Sequence, residues 1–362
     1  MAPTTRKATR PVTVAFSAAV LCLAAITIAF ARSPESTGPA ASTGPATASP
    51  FPPPIPVPRP DPADLEGVGA VTTIGPTQVK SGPSQYTATL STLRRGVVLP
   101  VTGFRGPYLS VFTPCEAWGW VHVANVDLHR RASNKSKAVE GATIVLDPGH
   151  GGQLSGAKGP GGLTEMEANF DITKRLAHRL TGARIFLTRT GNYTAGLEFR
   201  SKIANRLGAD LLVSIHNNAA PDGPSERPGT ETYYQFASPQ SKRLAGLLYE
   251  ELFAGLRPIK IAWMADRDAG AKYRTNVAGD DFYGLLRRTD VPAVIVEAMY
   301  ISNAPEEQLL RTADARELIA RDLAEGIGRY LTSDDPGSGF VKPLHRNEGS
   351  SGQLPSKCVE PV

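Results

Sequence analysis

The sequence predicts an α/β protein, with a mostly parallel or mixed sheet flanked by helices and preceded by a small all-β domain. Two observations lead to this class. In the second half of the chain, short apolar runs typical of buried strands alternate with longer segments of helical periodicity. Before them, short β-prone runs are separated by Gly and Pro, without helical segments between them. Strands that alternate with helices indicate a sheet covered on both faces.

Length and composition are compatible with this organisation. The chain has 362 residues, 41% of them hydrophobic, which is enough for one large or two modest domains. The formal net charge of +5 fits weak attraction to an anionic cell wall or membrane surface. The sequence has no basic stripe with interleaved aromatics, so we expect no nucleic acid among its partners. The sequence does not indicate an oligomeric state.

The first 32 residues have the features of an export signal. Three basic residues lie within the first ten positions, and the uncharged run Val12–Ala31 follows them. The end of that run, Ala29-Phe30-Ala31, fits the small-x-small pattern of a cleavage site. The same run is long enough to span a bilayer as an uncleaved anchor, so both outcomes stay open, with cleavage favoured. We expect an exported protein, either secreted into the cell wall or anchored to the cytoplasmic membrane and facing outward.

A linker and a β-rich segment follow. Residues 33–66 are rich in Pro, Ser, Thr, Ala and Gly, which predicts a disordered linker with a stiff polyproline part. Residues 67–128 contain five or so short β-prone runs, which predict a small β-barrel. The segment Gly119-Trp120-Val121 resembles the last strand of bacterial SH3-type domains, which implies wall binding or docking. A purely structural β-domain with Trp118 and Trp120 in its core is the alternative.

The α/β domain is expected at residues 141–332, after a polar connector at 129–140. Its apolar runs predict strands at 142–146, 183–188, 210–215, 229–236 (an edge strand) and 293–296. Its helical segments are predicted at 164–180, 197–207, 241–256 and 315–331. The polar, Gly/Ser-rich residues 333–362 are predicted to be a disordered tail.

The three cysteines, Cys22, Cys115 and Cys358, fit neither a metal-ligand pattern nor a disulfide framework. Cys115 and Cys358 could pair in an oxidising compartment. One of them lies in a predicted structured region and the other in a polar tail, so two unrelated free thiols are the favoured interpretation.

Polar residues follow three of the predicted strands. Asp147-Pro-Gly-His150 follows the first, His216-Asn217-Asn218 follows the third, and Glu297 follows the last. Glu165 lies at the start of the first long helix. Because open α/β sheets place their sites at the carboxyl ends of strands, we expect these side chains to converge.

Two histidines and a glutamate with one open position form a common catalytic zinc set. His150, His216 and Glu165 are therefore candidate ligands, and Glu297 is a candidate acid/base. Each residue also has a structural interpretation: a loop histidine, a glutamate near a helix start, or a carboxylate paired with Arg287. Joint placement at the strand ends favours the functional interpretation, although spacing alone does not distinguish zinc from other divalent metals.

The catalytic half resembles a known family across about 190 residues. The segments that carry the resemblance, in order, are 145–152, 162–170, 187–189, 200–210, 214–219, 229–231, 286–287, 292–297 and 302–303. Together they resemble the zinc-dependent N-acetylmuramoyl-L-alanine amidases. One departure is Met299-Tyr300, where the family usually has Gly-Phe, and we expect the bulkier Met299 to narrow the cleft or to alter selectivity.

The resemblance implies roles for individual residues. His150, Glu165 and His216 would bind zinc, Glu297 would be the catalytic carboxylate, and Arg287 and Asn218 would contact substrate. The implied reaction is hydrolysis of the amide between N-acetylmuramic acid and the L-Ala of the stem peptide in peptidoglycan. Two alternatives are a catalytically silent wall-binding or regulatory protein and another zinc peptidase that acts on the stem peptide. The complete ligand set favours the active amidase.

Overall fold

The computed structural model describes residues 61–220, 229–259, 269–345 and 354–362. The predicted signal or anchor at 1–32 lies outside the described residues, as does most of the predicted linker at 33–66. The end of that linker forms a short helix, α1 (Pro62–Leu65). None of the helices in the described ranges is long and apolar enough to cross a membrane.

An all-β domain precedes the α/β domain, as the sequence predicts. Residues 68–130, all of them described, form β1 (Val68–Thr73), β2 (Thr77–Lys80), β3 (Thr89–Leu93), β4 (Val98–Arg105), β5 (Tyr108–Phe112), β6 (Trp118–His122) and β7 (Val126–Arg130). These are seven strands rather than the expected five or so, and β7 extends into the predicted connector. They pair antiparallel in the order β3-β2-β6-β5-β4-β1-β7. The likeness to SH3-type domains stays a prediction.

The core of the β-domain consists of aliphatic side chains from several strands, together with Phe112 of β5. Trp118 is 53% exposed and Trp120 is half-buried, so the alternative that places both tryptophans in the core is wrong. Successive side chains of a strand point to opposite faces, and in β6 the residues that face the interior are Gly119 and Val121.

A mixed sheet forms the centre of the second domain, which confirms the predicted class. Its strands, among the described residues, are β8 (Thr143–Pro148), β9 (Arg184–Leu187), β10 (Leu211–Asn218), β11 (Glu231–Tyr234), β12 (Gly270–Lys272) and β14 (Ala293–Tyr300). Their order is β12-β11-β14-β10-β8-β9. All neighbours are parallel except β11 and β14, which are antiparallel. The prediction of an edge strand at 229–236 is wrong, because β12 pairs with the outer side of β11.

Helices cover both faces of this sheet. They are α2 (Glu165–Arg179), α3 (Leu197–Leu207), α4 (Pro239–Leu256), α5 (Gly284–Arg287), α6 (Ala304–Leu310) and α7 (Ala313–Thr332). Ile144 and Leu146 of β8 pack in one core with α2, α4 and α7. Val145, which points to the opposite face, belongs to a second core with Phe199 and Ile203 of α3.

The second core extends into the β-domain. Val71 of β1 and Leu99 of β4 belong to the same buried cluster as Phe199. The two domains also meet through their backbones, because a Cβ atom on Gly69 would lie 2.3 Å from the carbonyl oxygen of Arg206. The β-domain therefore covers one face of the mixed sheet together with α3.

The segment after α7 is ordered where it is described, in contrast to the disorder expected at 333–362. Arg243 of α4 donates hydrogen bonds to the carbonyl oxygens of Tyr330, Ser333 and Asp335. The Val341 amide donates to the Ala271 carbonyl at 3.0 Å. Two short strands, β13 (Arg274–Thr275) and β15 (Leu344–His345), then pair in parallel. These contacts compensate for the polar composition that led to the prediction of disorder.

Cys115 and Cys358 form a disulfide, with their Cα atoms 5.6 Å apart. The favoured prediction of two free thiols is therefore wrong. The two residues are 243 positions apart in sequence, and their proximity depends on the way the C-terminal segment returns to the β-domain. A pairing of this kind does not follow from cysteine spacing.

Candidate metal centre and catalytic pocket

Strand pairing brings the predicted site residues to one edge of the sheet. His216 of β10 and Glu297 of β14 are register partners in a parallel pair. His150 lies just beyond the end of β8, which pairs with the other side of β10. Glu165 is the first residue of α2. The strands β10 and β14 are longer than predicted, so His216 and Glu297 lie within them rather than after them.

The three predicted ligands converge on each other. His150 Nε2 lies 2.9 Å from Glu165 Oε2, and His216 Nδ1 lies 2.9 Å from Glu165 Oε1. One ring nitrogen from each histidine and one carboxylate oxygen of Glu165 all lie within 4.8 Å of one another. This donor set, two imidazoles and one carboxylate, is able to hold a divalent metal ion.

Glu165 is surrounded by hydrogen-bond donors. Besides the two histidines, the Ala157 amide donates to it at 3.1 Å, the Asn217 amide at 3.2 Å and the Asn169 side chain at 3.3 Å. Burial raises the pKa of Glu165, but the hydrogen bonds and charges of the histidines outweigh it and hold the pKa well below its ordinary value. The carboxylate therefore stays ionised, as a metal ligand requires.

The two histidines differ in their surroundings. Burial lowers the pKa of His150, and this effect exceeds the opposing influence of Glu165. A neutral imidazole, the form that binds metal, is thereby favoured. For His216, burial also lowers the pKa, but its hydrogen bond with Glu165 and the nearby carboxylates raise it overall. The shift favours a proton on His216 beside the Glu165 carboxylate, and a metal ion bound by both side chains would take the place of that proton.

Two buried arginines hold the loop that carries His150. Arg200 of α3 is paired with Asp147 and donates to the His150 carbonyl at 2.7 Å. Arg189 donates to the carbonyls of Pro148 at 2.9 Å and of Gly149 at 3.0 Å. These clamps were not recognised from the sequence, although both arginines lie in the segments that carry the family resemblance. Both lie in largely polar sequence, with Thr188 and Thr190 beside Arg189 and Ser201 and Lys202 after Arg200, so no apolar context marked them as buried.

The backbone around the ligands requires small residues at two positions. A Cβ atom on Gly149 would lie 2.3 Å from His216 Cε1, and one on Gly156 would lie 2.5 Å from Glu165 Oε2. His150 itself has a φ of 61°, a left-handed conformation that is uncommon for residues other than glycine. The position of His150 is therefore maintained by its surroundings, in particular by Arg200.

Glu297 lies next to His216, on the neighbouring strand β14. Its Oε2 atom is shielded from solvent and has no hydrogen-bond partner among the described residues. Burial raises the pKa of Glu297 to about 8, and the negative charges of Glu165 and Glu231 act in the same direction, while His216 opposes them. Such a group can exchange a proton near neutral pH, as an acid/base catalyst must.

A buried polar network lies behind Glu297, and it was not predicted from the sequence, although Glu231 lies in a segment that carries the family resemblance. Glu231 of β11 is the antiparallel register partner of Glu297. Its carboxylate is bound by Lys272 at 3.0 Å, by the Tyr300 hydroxyl at 3.1 Å and by the Asn218 side chain at 3.2 Å. These contacts hold the buried Glu231 carboxylate on the strand next to Glu297.

The pocket that contains these residues has a volume of about 460 Å³. His150, Glu165, His216, Glu297 and Asn218 all line it, so the structure brings five of the six predicted site residues together.

The other predicted positions lie elsewhere. Arg287 does not line the catalytic pocket. It lines a different cavity and donates hydrogen bonds to the carbonyl oxygens of Asp281 and Phe282. Met299 is fully buried in the core shared with α2, α4 and α7, so the expectation that it narrows the cleft is not met.

The fold and the site define a class: an α/β protein with a three-residue centre able to hold a metal ion and a separate acid beside it. The family model described as N-acetylmuramoyl-L-alanine amidase matches residues 144–329, just over half of the chain. The chain therefore belongs to the N-acetylmuramoyl-L-alanine amidase family. This confirms the resemblance found in the motifs and indicates the reaction class, hydrolysis of the N-acetylmuramoyl-L-alanine amide of peptidoglycan.

Individual relatives cover different shares of the chain. "N-acetylmuramoyl-L-alanine amidase LytC" of Bacillus subtilis (strain 168) is 36% identical over 203 residues, which are 55% of this chain and 37% of LytC. "Probable cell wall amidase LytH" of Staphylococcus epidermidis is 27% identical over 277 residues, 74% of this chain and 86% of LytH. The chain thus matches well under half of the length of LytC and most of the length of LytH.

Among solved structures, an N-acetylmuramoyl-L-alanine amidase from Clostridium difficile 630 is 28% identical. The match covers 54% of this chain and 99% of that one, with a TM-score of 0.47.

Proposed function

We propose that the α/β domain is a zinc-dependent peptidoglycan amidase that separates the stem peptide from the glycan. The bond cleaved is the amide between the lactyl group of N-acetylmuramic acid and L-Ala. The observation that carries this proposal is the convergence of His150, Glu165 and His216, with Glu297 on the neighbouring strand. An acid and a complete ligand set in one pocket argue against a silent wall-binding protein.

The donor types favour zinc. Imidazole and carboxylate groups suit several divalent metals, but two histidines and one glutamate with an open position are a recurrent catalytic zinc set. A zinc ion held there would supply Lewis-acid chemistry: it would lower the pKa of a water molecule to about 7 and polarise a carbonyl oxygen. The ligand residues would hold the ion through His150, His216 and the ionised carboxylate of Glu165.

The remaining steps belong to the side chains of this domain. Glu297 accepts a proton from the attacking water and passes it to the nitrogen of the leaving L-Ala. Its pKa of about 8 before metal binding allows both directions of transfer near neutral pH, and an added cation lowers it. Asn218 lines the pocket and is proposed to contact substrate, whereas the position of Arg287 gives no support to the same role.

We propose further that the protein is exported and acts at the cell wall, secreted or anchored to the membrane and facing outward. The sequence features of residues 1–32 support export. The Cys115–Cys358 disulfide supports it independently, because disulfides persist mainly outside the cytosol. The similarity to LytH, named as a probable cell wall amidase, is consistent with this location.

Product analysis tests the reaction. Purified peptidoglycan is digested with the zinc-loaded protein, with the protein treated with a chelator, and with the Glu297→Gln variant, and the soluble products are identified by mass spectrometry. We expect stem peptides that begin with L-Ala from the first sample only. Re-addition of zinc to the chelated protein restores them.

Other products would contradict the proposal. Peptide fragments cut within the stem indicate a zinc peptidase. No product from zinc-loaded protein, although it binds peptidoglycan, indicates a wall-binding or regulatory protein.

A further inference from the structure

We propose that Leu354 is a specificity-determining residue of this amidase, held in the wall of the catalytic pocket by the Cys115–Cys358 disulfide. This inference rests on the proposed function. Leu354 lines the same pocket as His150, Glu165, His216 and Glu297, although it lies beyond the segment 144–329 that matches the family. It is half-buried and provides an apolar surface next to polar catalytic groups.

The C-terminal segment that carries Leu354 is anchored to the β-domain rather than to the catalytic sheet. Cys358, four residues further on, forms the disulfide with Cys115. The Glu360 carboxylate accepts hydrogen bonds from the Thr113 hydroxyl and from the Cys115 amide. The Arg94 amide donates to the Pro361 carbonyl at 2.9 Å. Four residues span at most about 14 Å when extended, so the disulfide restricts Leu354 to the neighbourhood of this anchor.

The β-domain loop that holds the anchor also contacts the rim of the pocket. The Gly196 amide donates to the Pro114 carbonyl at 2.9 Å, and the Glu198 amide donates to Glu116 Oε1 at 2.8 Å. Gly196 and Leu197, at the start of α3, line the catalytic pocket. One loop of the β-domain, residues 113–116, therefore fixes two walls of the pocket: the start of α3 directly, and Leu354 through the disulfide.

The position of Leu354 assigns it a role in binding rather than in chemistry. A leucine side chain has no group that transfers a proton, and the metal ligands and Glu297 lie on other elements. The bond to be cleaved is flanked by the methyl groups of the lactyl and alanyl units, which gain from contact with an apolar wall. We therefore expect Leu354 to influence KM far more than kcat.

Steady-state kinetics of the full-length protein on a soluble muropeptide, N-acetylmuramic acid with its stem peptide, test this role. Leu354→Ala is expected to raise KM about tenfold, the effect of losing a small apolar contact in a specific pocket, with kcat within about twofold. The matched control is Val359→Ala in the same segment, since Val359 is 61% exposed and outside the catalytic pocket. Its KM should equal that of the wild type.

A double-mutant cycle tests the part played by the disulfide. Replacement of both cysteines by serine, Cys115→Ser with Cys358→Ser, should raise KM in the same way as Leu354→Ala. Adding Leu354→Ala to that background should raise KM no further, because the side chain has already lost its position. Zinc content and thermal unfolding of each variant establish that the catalytic domain is folded and loaded.

The outcomes separate this inference from the proposed function. No product from the zinc-loaded wild type overturns both. An active wild type whose KM is unchanged by Leu354→Ala overturns the specificity role alone. If the effects of the leucine and cysteine substitutions multiply instead of overlapping, the disulfide does not position Leu354.

Discussion

The catalytic pocket contains two glutamates in opposite environments, Glu165 among the candidate metal ligands and Glu297 as the candidate acid. On the ligand side, Glu165 accepts hydrogen bonds from His150, His216 and three further donors in the described chain, and its pKa is lowered. On the acid side, Glu297 has a shielded oxygen without a partner in the described residues, and burial raises its pKa to about 8. Two neighbouring carboxyl groups are thereby given different protonation states, and hence different tasks.

Removal of a metal ligand should have the largest effect, because it should abolish both metal binding and activity. His216→Ala is expected to abolish stoichiometric zinc binding and to lower kcat/KM by far more than 100-fold. The reason is that loss of an outer-shell partner already costs about 10–100-fold in affinity or activity. Zinc content by elemental analysis and peptide release measure the two effects. A variant that keeps both zinc and activity would remove His216 from the ligand set.

Removal of the acid should slow the reaction without affecting metal binding. Glu297→Gln is expected to retain zinc and to lower kcat by about 10²–10⁴-fold, the usual contribution of general acid–base catalysis. The matched control is Glu325→Gln on α7, an exposed glutamate outside the pocket. Full activity in the Glu297 variant, with zinc bound, would mean that another group moves the proton.

A smaller change tests how closely the ligand side is packed. In Gly149→Ala the new methyl group would lie 2.3 Å from His216 Cε1, so the imidazole must move. We expect zinc affinity to fall about 10–100-fold, as for other changes that misorient a ligand, and competition with a chromogenic chelator measures it. Gly328→Ala, where nothing lies within 4 Å of the added Cβ, should leave the affinity unchanged.

The smallest effect concerns the pH dependence of stability in the metal-free protein. The pKa of Glu297 is about 8 when folded, against an ordinary value of 4.5. Between those values the folded state binds more protons than the unfolded state, so this group lowers the free energy of unfolding as pH rises from about 5 to about 8.

Glu297→Gln lacks this titration. The stability of the metal-free variant relative to wild type should therefore increase across the same window by on the order of a few kcal/mol, and remain constant above it. Thermal unfolding in a chelator at pH 5, 7 and 9 measures the difference. An equal difference at all three pH values would contradict the raised pKa.

The metal-ligand set and Glu297 were predictable from the sequence because their positions depend on local sequence pattern. Apolar runs identified the strands, and His150, His216 and Glu297 come at or near their carboxyl ends. The features that failed depend on long-range contacts. The disulfide joins residues that are far apart in sequence, and the outer pairing of β12 decides that β11 is not an edge. The roles of Arg189, Arg200 and Glu231 also depend on such contacts. Their hydrogen-bond and ion-pair partners lie on other elements of the fold.

The shared core of α3 and the β-domain has a consequence for dissecting the protein. We expect deletion of residues 67–128 to destabilise the catalytic domain. The deletion would expose Phe199 and Ile203 to solvent, and the resulting apolar surface would favour self-association. A catalytic fragment starting near residue 141 should therefore need new polar side chains on α3 to remain dispersed. In this chain the β-domain is no interchangeable accessory; transplanting either half means redesigning the surface along which they were joined.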